Sequence, residues 1–347
     1  MIGLFIKFEG GFKANQRIHM LRRLRLPNSG LPSIPNLSAL SYEEIDLQGN
    51  HLHSLDNLPL LLKSFNGSYN SLINDGIFFP FPRLEHLNLS HNRINIFEDD
   101  EFLQCFPSLV FLDFSYNCLK QVSFLRESNI EILNVSHNRL QLLEGLPLTL
   151  KEILADSNDI SMIQSKLPAS IERLDVSYNS LRYAGLPLNW PLTLRELHLD
   201  KNDIEKFPRK LPDSLEVLTL CGNRLKEIPS RLPANLSCLI LSSNSIRYLP
   251  DYKNHNRFTI FLIDDNCLTD IPTQFNATVT AFEKNWNEQK HHDAQRKLRK
   301  CWKRYVVSLR LRHFFRTKRL QDELFMVSMI PERWQQIDAL DPVWYRN

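Results

Sequence analysis

Residues suited to metal chemistry lie near the C-terminal end of the chain. His291, His292 and Asp293 are adjacent in the sequence and are of the types that bind metal ions. Adjacent histidines point in different directions on a helix, so a solvated surface pair explains them better than a metal site does. We therefore expect no metal at this position.

A reactive thiol is the second candidate. Cys301 has Lys300, Lys303 and Arg304 beside it, and nearby cations favour the nucleophilic thiolate form of a cysteine. The six cysteines nevertheless include no CxxC pair and no Cys/His cluster with metal-ligand spacing. The sequence also has no GxGxxG, phosphate-loop, GxSxG or HExxH motif. These observations predict a protein that is not an enzyme and needs no cofactor.

An internal repeat defines the structural elements of the chain that precedes these residues. The pattern LxxLxLxxNxL occurs eleven times at spacings of 20 to 25 residues. Its leucine positions predict a short strand in each repeat, with alternate side chains buried. A buried asparagine amide can donate and accept hydrogen bonds, so the asparagines predict a ladder that satisfies backbone groups of neighbouring turns. The asparagines are Asn50, Asn70, Asn92, Asn117, Asn138, Asn158, Asn179, Asn202, Asn223, Asn244 and Asn266.

Two weaker turns extend the repeat at either end. Ser29 lies 21 residues before Asn50, and Asn287 lies 21 residues after Asn266. Degenerate terminal turns are expected where a stack of repeats meets solvent. The predicted organisation is an N-terminal cap segment over 1–20, a repeat solenoid over 21–287 and a basic helical tail or cap over 288–347.

This repeat resembles the leucine-rich repeat family. The dipeptide Leu-Pro recurs at Leu146, Leu167, Leu186, Leu211 and Leu232, and such short repeats are similar to those of bacterial effectors and of large DNA viruses. The resemblance implies an α/β-type horseshoe solenoid with a parallel concave β-sheet. Because proline fixes φ and removes a donor, the convex side is expected to be irregular, polyproline-like or 3-10 helical.

In this family the partner usually meets the concave sheet, and that implies which residues contact it. The predicted partner-binding positions in the first half are polar or aromatic, although such residues also suit any exposed strand or turn. They are Asp46, Asn66, Tyr69, Asn88, His91, Asp113, Tyr116, Asn134, His137, Asp175, Tyr178 and His198.

The second half of the same face is predicted to be apolar. Val217, Ile240, Ile260 and Leu262 fall on outward positions of adjacent strands. An exposed apolar patch often marks an interaction surface, whereas β-branched residues also favour strands for their own sake. A third interpretation is that the C-terminal tail covers the patch.

The tail is strongly basic. Residues 290–319 contain twelve Lys or Arg and one acid, giving a net charge of +11 against −8 for the rest of the chain. Its apolar residues recur at three- and four-residue steps, as in an amphipathic helix. A capping helix, a calmodulin-binding segment that resembles an IQ motif, and binding to anionic lipid or nucleic acid all fit this pattern. The tail residues of interest are Arg296, Lys297, Arg299, Lys300, Trp302, Lys303 and Arg304.

Together these features predict a non-enzymatic protein-interaction module or adaptor that binds a macromolecular partner through the concave face. A tail-driven binder of a calmodulin-like protein, lipid or nucleic acid is the alternative. A ubiquitin ligase, as in some bacterial effectors with such repeats, is a remote alternative because so few residues follow the repeats. No stretch approaches a membrane span and the N-terminus makes a poor signal peptide, so we expect an intracellular, cytoplasmic protein, in the host cytoplasm if it is viral or an effector.

Overall fold

The computed structural model describes residues 22–77, 80–95, 99–164, 166–250, 258–263 and 265–268. Most repeats in this part of the chain contribute one three-residue strand. The strands are β1 (Arg23–Arg25), β2 (Glu44–Asp46), β3 (Ser64–Asn66), β4 (His86–Asn88), β5 (Phe111–Asp113), β6 (Ile132–Asn134), β7 (Leu142–Leu143), β8 (Glu152–Leu154), β9 (Met162–Ile163), β10 (Arg173–Asp175), β11 (Glu196–His198), β12 (Val217–Thr219), β13 (Cys238–Ile240) and β14 (Ile260–Leu262).

Twelve of these strands form one parallel sheet, in the order β1-β2-β3-β4-β5-β6-β8-β10-β11-β12-β13-β14. Equivalent residues of successive repeats pair, so that Ile45 is opposite Phe65 and Leu174 is opposite Leu197. The prediction of a parallel concave sheet is confirmed. Pairing of β1 with β2 also places a strand in the degenerate turn that precedes Asn50.

The core is a continuous apolar column behind the sheet. The middle residue of each strand from β2 onwards in the large sheet is buried, as is the apolar residue two positions later, for example Leu133 and Val135. Each repeat therefore shields its neighbours, and no repeat could bury its apolar face alone. The intervening strand residues face outward along the concave surface.

The convex side consists mainly of turns, as predicted. Three-residue 3-10 helices occur at Asn74–Gly76, Ser123–Leu125 and Tyr183–Gly185. One α-helix, α1 (Asp99–Cys105), lies between Asn92 and Asn117, where the repeat spacing is widest. Strands β7 and β9 form a separate two-stranded parallel sheet. Neither α1 nor this small sheet was predicted from the sequence.

Several predictions concern residues outside the described ranges. They are the cap segment 1–20, the terminal turn at Asn287, the His291–Asp293 group and the basic tail over 288–347. They stay predictions. Within the described ranges, no helix has the length and apolar character that crossing a membrane requires.

Candidate protein-binding surface

The asparagine ladder closes each strand with the same set of hydrogen bonds. The Asn117 Nδ2 group donates to the carbonyls of Leu89 and Phe114, at 2.9 and 3.1 Å, and its Oδ1 accepts from the Ile94 N–H at 3.0 Å. One amide thus satisfies backbone groups in its own turn and in the preceding one. Equivalent bonds occur at all eleven asparagines, from Asn50 to Asn266, which confirms the predicted ladder.

The residue immediately before each ladder asparagine lies in the left-handed region of backbone space. Tyr69, His91, Tyr116, His137 and Tyr178 have φ between 54° and 55°. Gly49 and Gly222 occupy the same position in other repeats, with φ of 69° and 67°. Non-glycine residues pay a steric penalty in this conformation, so the ladder bonds that follow must hold the turn in place.

Four of these residues form a continuous ring stack made up of Tyr69, His91, Tyr116 and His137. Successive ring centroids lie 3.9, 4.0 and 4.0 Å apart, and the ring planes differ by 12° to 13°. Because the faces of neighbouring rings pack on one another, the edges of the rings form the exposed surface of the stack. The stack therefore presents phenol hydroxyls and imidazole nitrogens in a row beside the concave strands.

The predicted polar column of the first half has a structural role as well as an exposed surface. An Oδ1 atom accepts the backbone N–H two residues later at Asp46, Asn66, Asn88, Asp113 and Asn134. This is the turn preference of Asx residues. The side chains remain half-buried, so the column both shapes the strand ends and presents polar atoms to the concave surface.

The structure corrects the expected exposure of two members of this column. Asp175 and His198 are buried, and His198 is only 1% exposed. His198 Nδ1 lies 3.1 Å from Thr219 Oγ1, and the Thr219 hydroxyl donates to Asp200 Oδ2 at 2.8 Å. This polar network on β11, β12 and the turn after β11 provides a hydrogen-bond partner for the buried His198 ring, and the alternation of the sequence could not reveal it.

A second network crosses three strands at their N-terminal ends. The buried Arg173 guanidinium contacts Glu152 Oε1 at 2.6 Å through Nη1 and Glu196 Oε2 at 3.2 Å through Nε. Arg173 thus joins β8, β10 and β11. The planar guanidinium of arginine can bind two carboxylates through different nitrogens, so arginine suits such a partly buried ion-pair network better than lysine does.

A carboxylate cluster, made up of Asp156, Asp175 and Asp200, lies beside these networks. Burial, with a smaller contribution from the Asp175 charge, raises the pKa of Asp200 to about 6, against the opposing influences of His198, Thr219 and the Cys221 N–H. Burial and then the Asp175 charge raise the pKa of Asp156, which accepts hydrogen bonds from the Ser136 and Ser157 hydroxyls.

His137 connects the ring stack to this cluster. Its Nε2 atom lies 3.8 Å from Asp156 Oδ2. Burial lowers the pKa of His137, and the Asp156 carboxylate opposes that change. The aromatic and acidic parts of the concave surface are therefore contiguous.

The apolar half of the concave surface differs from the expectation. Val217, Ile240 and Ile260 are half-buried, and Leu262 is buried rather than exposed. The four side chains lie on consecutive strands from β12 to β14, as the register predicted. They form a less exposed surface than the alternation of the sequence indicated.

Apart from His198, the residues of the two polar networks were not predicted from the sequence. Asp156 and Asp200 occupy a column in which serine is the usual residue, and these replacements were a readable signal. Arg173, by contrast, could not be paired with Glu152 and Glu196 before the strand register was known. Within the described residues, no group of His, Cys, Asp or Glu has an arrangement that could hold a metal ion.

Comparisons with known proteins agree with this architecture. A family model described as leucine-rich repeats in two copies matches residues 82–127. The transforming growth factor beta activator LRRC32 of Mus musculus is 37% identical over 98 residues, which cover 26% of this chain and 15% of that protein. This chain therefore matches only a small part of its curated relative.

Two solved structures share the fold. The leucine-rich repeat domain of APL1B has a TM-score of 0.60 at 23% identity, over 73% of this chain and 78% of that chain. A chain in the octameric complex of latrophilin 3, Unc5D and the leucine-rich repeat protein FLRT2 has a TM-score of 0.51 at 23% identity, over 70% of this chain and 73% of that chain.

The repeat, the ladder and the parallel sheet together define the class. The chain has the fold of leucine-rich repeat proteins. Its fold is the one that protein-interaction modules of this class typically use.

Proposed function

We propose that this chain is a non-enzymatic binding protein or adaptor that recognises another protein through the concave face of its solenoid. The ring stack carries the proposal, because four large side chains on successive repeats are held in one row by stacking and by left-handed turns. A rigid row of this kind loses little conformational entropy when a partner binds.

The surroundings of the ring stack support a protein partner. Half-buried Asn and Asp side chains line the strands beside it, and each has one oxygen engaged with its own backbone. Such a surface combines aromatic anchors with fixed polar groups, which is the composition of protein interfaces. FLRT2, whose fold is similar, assembles with latrophilin 3 and Unc5D in an octameric complex.

We also propose an intracellular location for the protein. This proposal rests on the amino-acid sequence alone. Binding by the tail to a calmodulin-like protein, anionic lipid or nucleic acid concerns residues outside the described ranges. It stays an alternative.

A quantitative capture experiment tests the concave face. The tagged full chain is compared with an Asn88→Arg/Asn134→Arg variant and with a matched Leu148→Arg/Leu192→Arg variant. Asn88 and Asn134 lie on concave strands, whereas Leu148 and Leu192 are 81% and 83% exposed in turns away from the concave sheet. Both variants add two positive charges.

Proteins retained from a lysate of the source cells are quantified by mass spectrometry, with circular dichroism as the folding check. We expect the concave variant to lose its specific partner by about tenfold or more, since hot-spot changes commonly cost that much. The matched variant should retain the partner. Equal retention by both variants would contradict the proposal.

A further inference from the structure

The carboxylate cluster occupies three successive repeats of the large sheet. Asp156 and Asp200 follow strands β8 and β11 at equivalent positions, and Ser177 holds the same position after β10, between them. Asp175 belongs to β10, and its Oδ1 accepts the Ser177 N–H at 3.0 Å. Three carboxyl groups and the Ser177 hydroxyl therefore belong to neighbouring repeats of the sheet.

The bases next to this cluster are two histidines, since His198 interacts with the Asp200 charge and His137 with that of Asp156. The partners of Asp200 are the Thr219 hydroxyl, at 2.8 Å, and the Cys221 N–H, at 2.6 Å. Asp156 has hydroxyl partners and the more distant His137 ring. Among the described residues, no Lys or Arg forms an ion pair with any of the three carboxylates. The guanidinium of Arg173, on β10, is engaged by Glu152 and Glu196.

The Ser177 hydroxyl gives a second, independent indication of a ligand. Its side chain is 1% exposed, and its Oγ atom has no hydrogen-bond partner. A buried polar atom without a partner costs about 1–3 kcal/mol, so native structures rarely leave one unsatisfied. Asp156, whose side chain is 29% exposed, forms the accessible rim of the cluster, and Ser177 forms its floor.

We propose that this cluster is a subsite for the guanidinium group of an arginine on the protein partner. A guanidinium is planar, always charged and carries five N–H donors, so it can donate to several carboxylate oxygens and to the Ser177 oxygen at once. An ammonium group has three donors and no fixed plane, which suits a site spread over three strands less well. The inference rests on the proposed function and names the chemistry of the partner.

The position of His137 fits the same ligand. This ring closes the ring stack and lies beside Asp156, at the accessible side of the cluster. An arginine that enters over Asp156 would pass an aromatic edge before it reaches the carboxylates. The ring stack and the carboxylate cluster would then act as one continuous surface for an arginine-bearing segment.

Fluorescein-labelled octa-arginine is the probe that tests the subsite, with octa-lysine for comparison, and binding to the full chain is followed by anisotropy at about 150 mM salt to screen long-range attraction. The test variant is Asp156→Asn/Asp175→Asn/Asp200→Asn. The matched control is Glu127→Gln/Glu144→Gln/Glu227→Gln, which removes the same charge from exposed positions outside the large sheet. A Ser177→Ala variant tests the hydroxyl without a change in charge.

We expect the test variant to weaken octa-arginine binding at least about tenfold, since each charged hydrogen bond contributes about that factor, and the control to weaken it less than about threefold. Ser177→Ala should weaken it about threefold. Octa-lysine should bind more weakly to the unaltered chain.

Equal losses in the two triple variants, or equal affinity for octa-lysine, would overturn the arginine subsite. The proposed function would survive that result if the Asn88→Arg/Asn134→Arg variant still lost its protein partner. Retention of the partner by that variant, together with intact octa-arginine binding, would instead remove the proposed function and leave the subsite.

Discussion

The imidazole of His91 stacks on the phenol ring of Tyr116, with centroids 4.0 Å apart and planes 12° apart. The same imidazole stacks on Tyr69 through its other face, at 3.9 Å. An isolated exposed ring would be free to choose among rotamers, whereas these rings restrict one another. Stacking thus fixes the orientation of these aromatic side chains beside the concave sheet.

The first prediction concerns the energy of this contact. A double-mutant cycle of His91→Ala and Tyr116→Ala should give a coupling free energy of about 0.5–1.5 kcal/mol, the usual range for aromatic pairs. Urea denaturation of the four proteins measures it. The same cycle on Tyr69 and His137, at opposite ends of the ring stack, should give coupling near zero. Equal coupling in the two cycles would show that direct stacking is not its source.

The second prediction concerns the asparagine ladder. Asn117→Ala removes bonds to Leu89, Phe114 and Ile94. The Leu89 and Phe114 carbonyls keep bonds from Asn92 and Asn138, so the Ile94 N–H is the group that loses its partner. We expect a loss of about 1–3 kcal/mol in the free energy of unfolding, the cost of one unsatisfied buried backbone group. Thermal and urea denaturation test this, with the exposed Asn129→Ala as the control. A loss below that of Asn129→Ala would contradict the role of the ladder.

The third prediction concerns the left-handed turn. Lys201 is exposed and has a φ of 52°. Lys201→Gly should raise the melting temperature, because glycine adopts this conformation without the penalty of about 1 kcal/mol that other residues incur. Lys201→Val should lower it. The exposed Lys226, whose φ is not positive, is the control, where glycine should give no gain. A gain from glycine at both positions would exclude the backbone explanation.

Much of the fold follows from the residues themselves, for identifiable physical reasons. A ladder asparagine such as Asn138 is recognisable in the sequence because it follows two buried apolar strand residues, Leu133 and Val135, at a fixed sequence spacing. The period of the chain therefore specifies strand, turn and register together. Helix α1 was missed because a single repeat of 25 residues has no internal pattern to indicate its use of the extra length.

The candidate site was less predictable because it depends on contacts between repeats. Tyr69 and His91 could be assigned to one column, but not to a face-to-face stack. Alternation placed His198 on the concave face without revealing its bond to Thr219, which lies 21 residues away. Exposure of a strand residue depends on its neighbours in the sheet, and these are known only once side chains are placed.

The fourth prediction is a pH dependence of stability. The pKa of Asp200 is about 6, above the value of about 3.9 for an unfolded chain, so the folded state binds more protons between these values. Its contribution to stability is therefore complete below about pH 4 and is lost as the pH rises towards 6 and above. Asp175 adds to this effect, and His198, Thr219 and the Cys221 N–H oppose it.

The variant Asp200→Asn tests that dependence. The difference in melting temperature between Asp200→Asn and the unaltered chain should shift in favour of the variant as the pH rises from 4 to 7, because only the unaltered chain develops a buried charge. Neighbouring groups titrate in both proteins and largely cancel. The exposed Asp213→Asn serves as the control and should show little change. A difference that is constant with pH would show that Asp200 does not titrate as described.

Site-specific photo-crosslinking tests whether the partner contacts the concave face of the solenoid. Benzoylphenylalanine is introduced into the full chain at Asn134, on concave strand β6, or at Leu148, in an exposed turn away from that sheet. We expect the Asn134 protein to form a discrete covalent adduct with its partner on irradiation and the Leu148 protein to form none. An adduct at Leu148 with none at Asn134 would contradict recognition through the concave face.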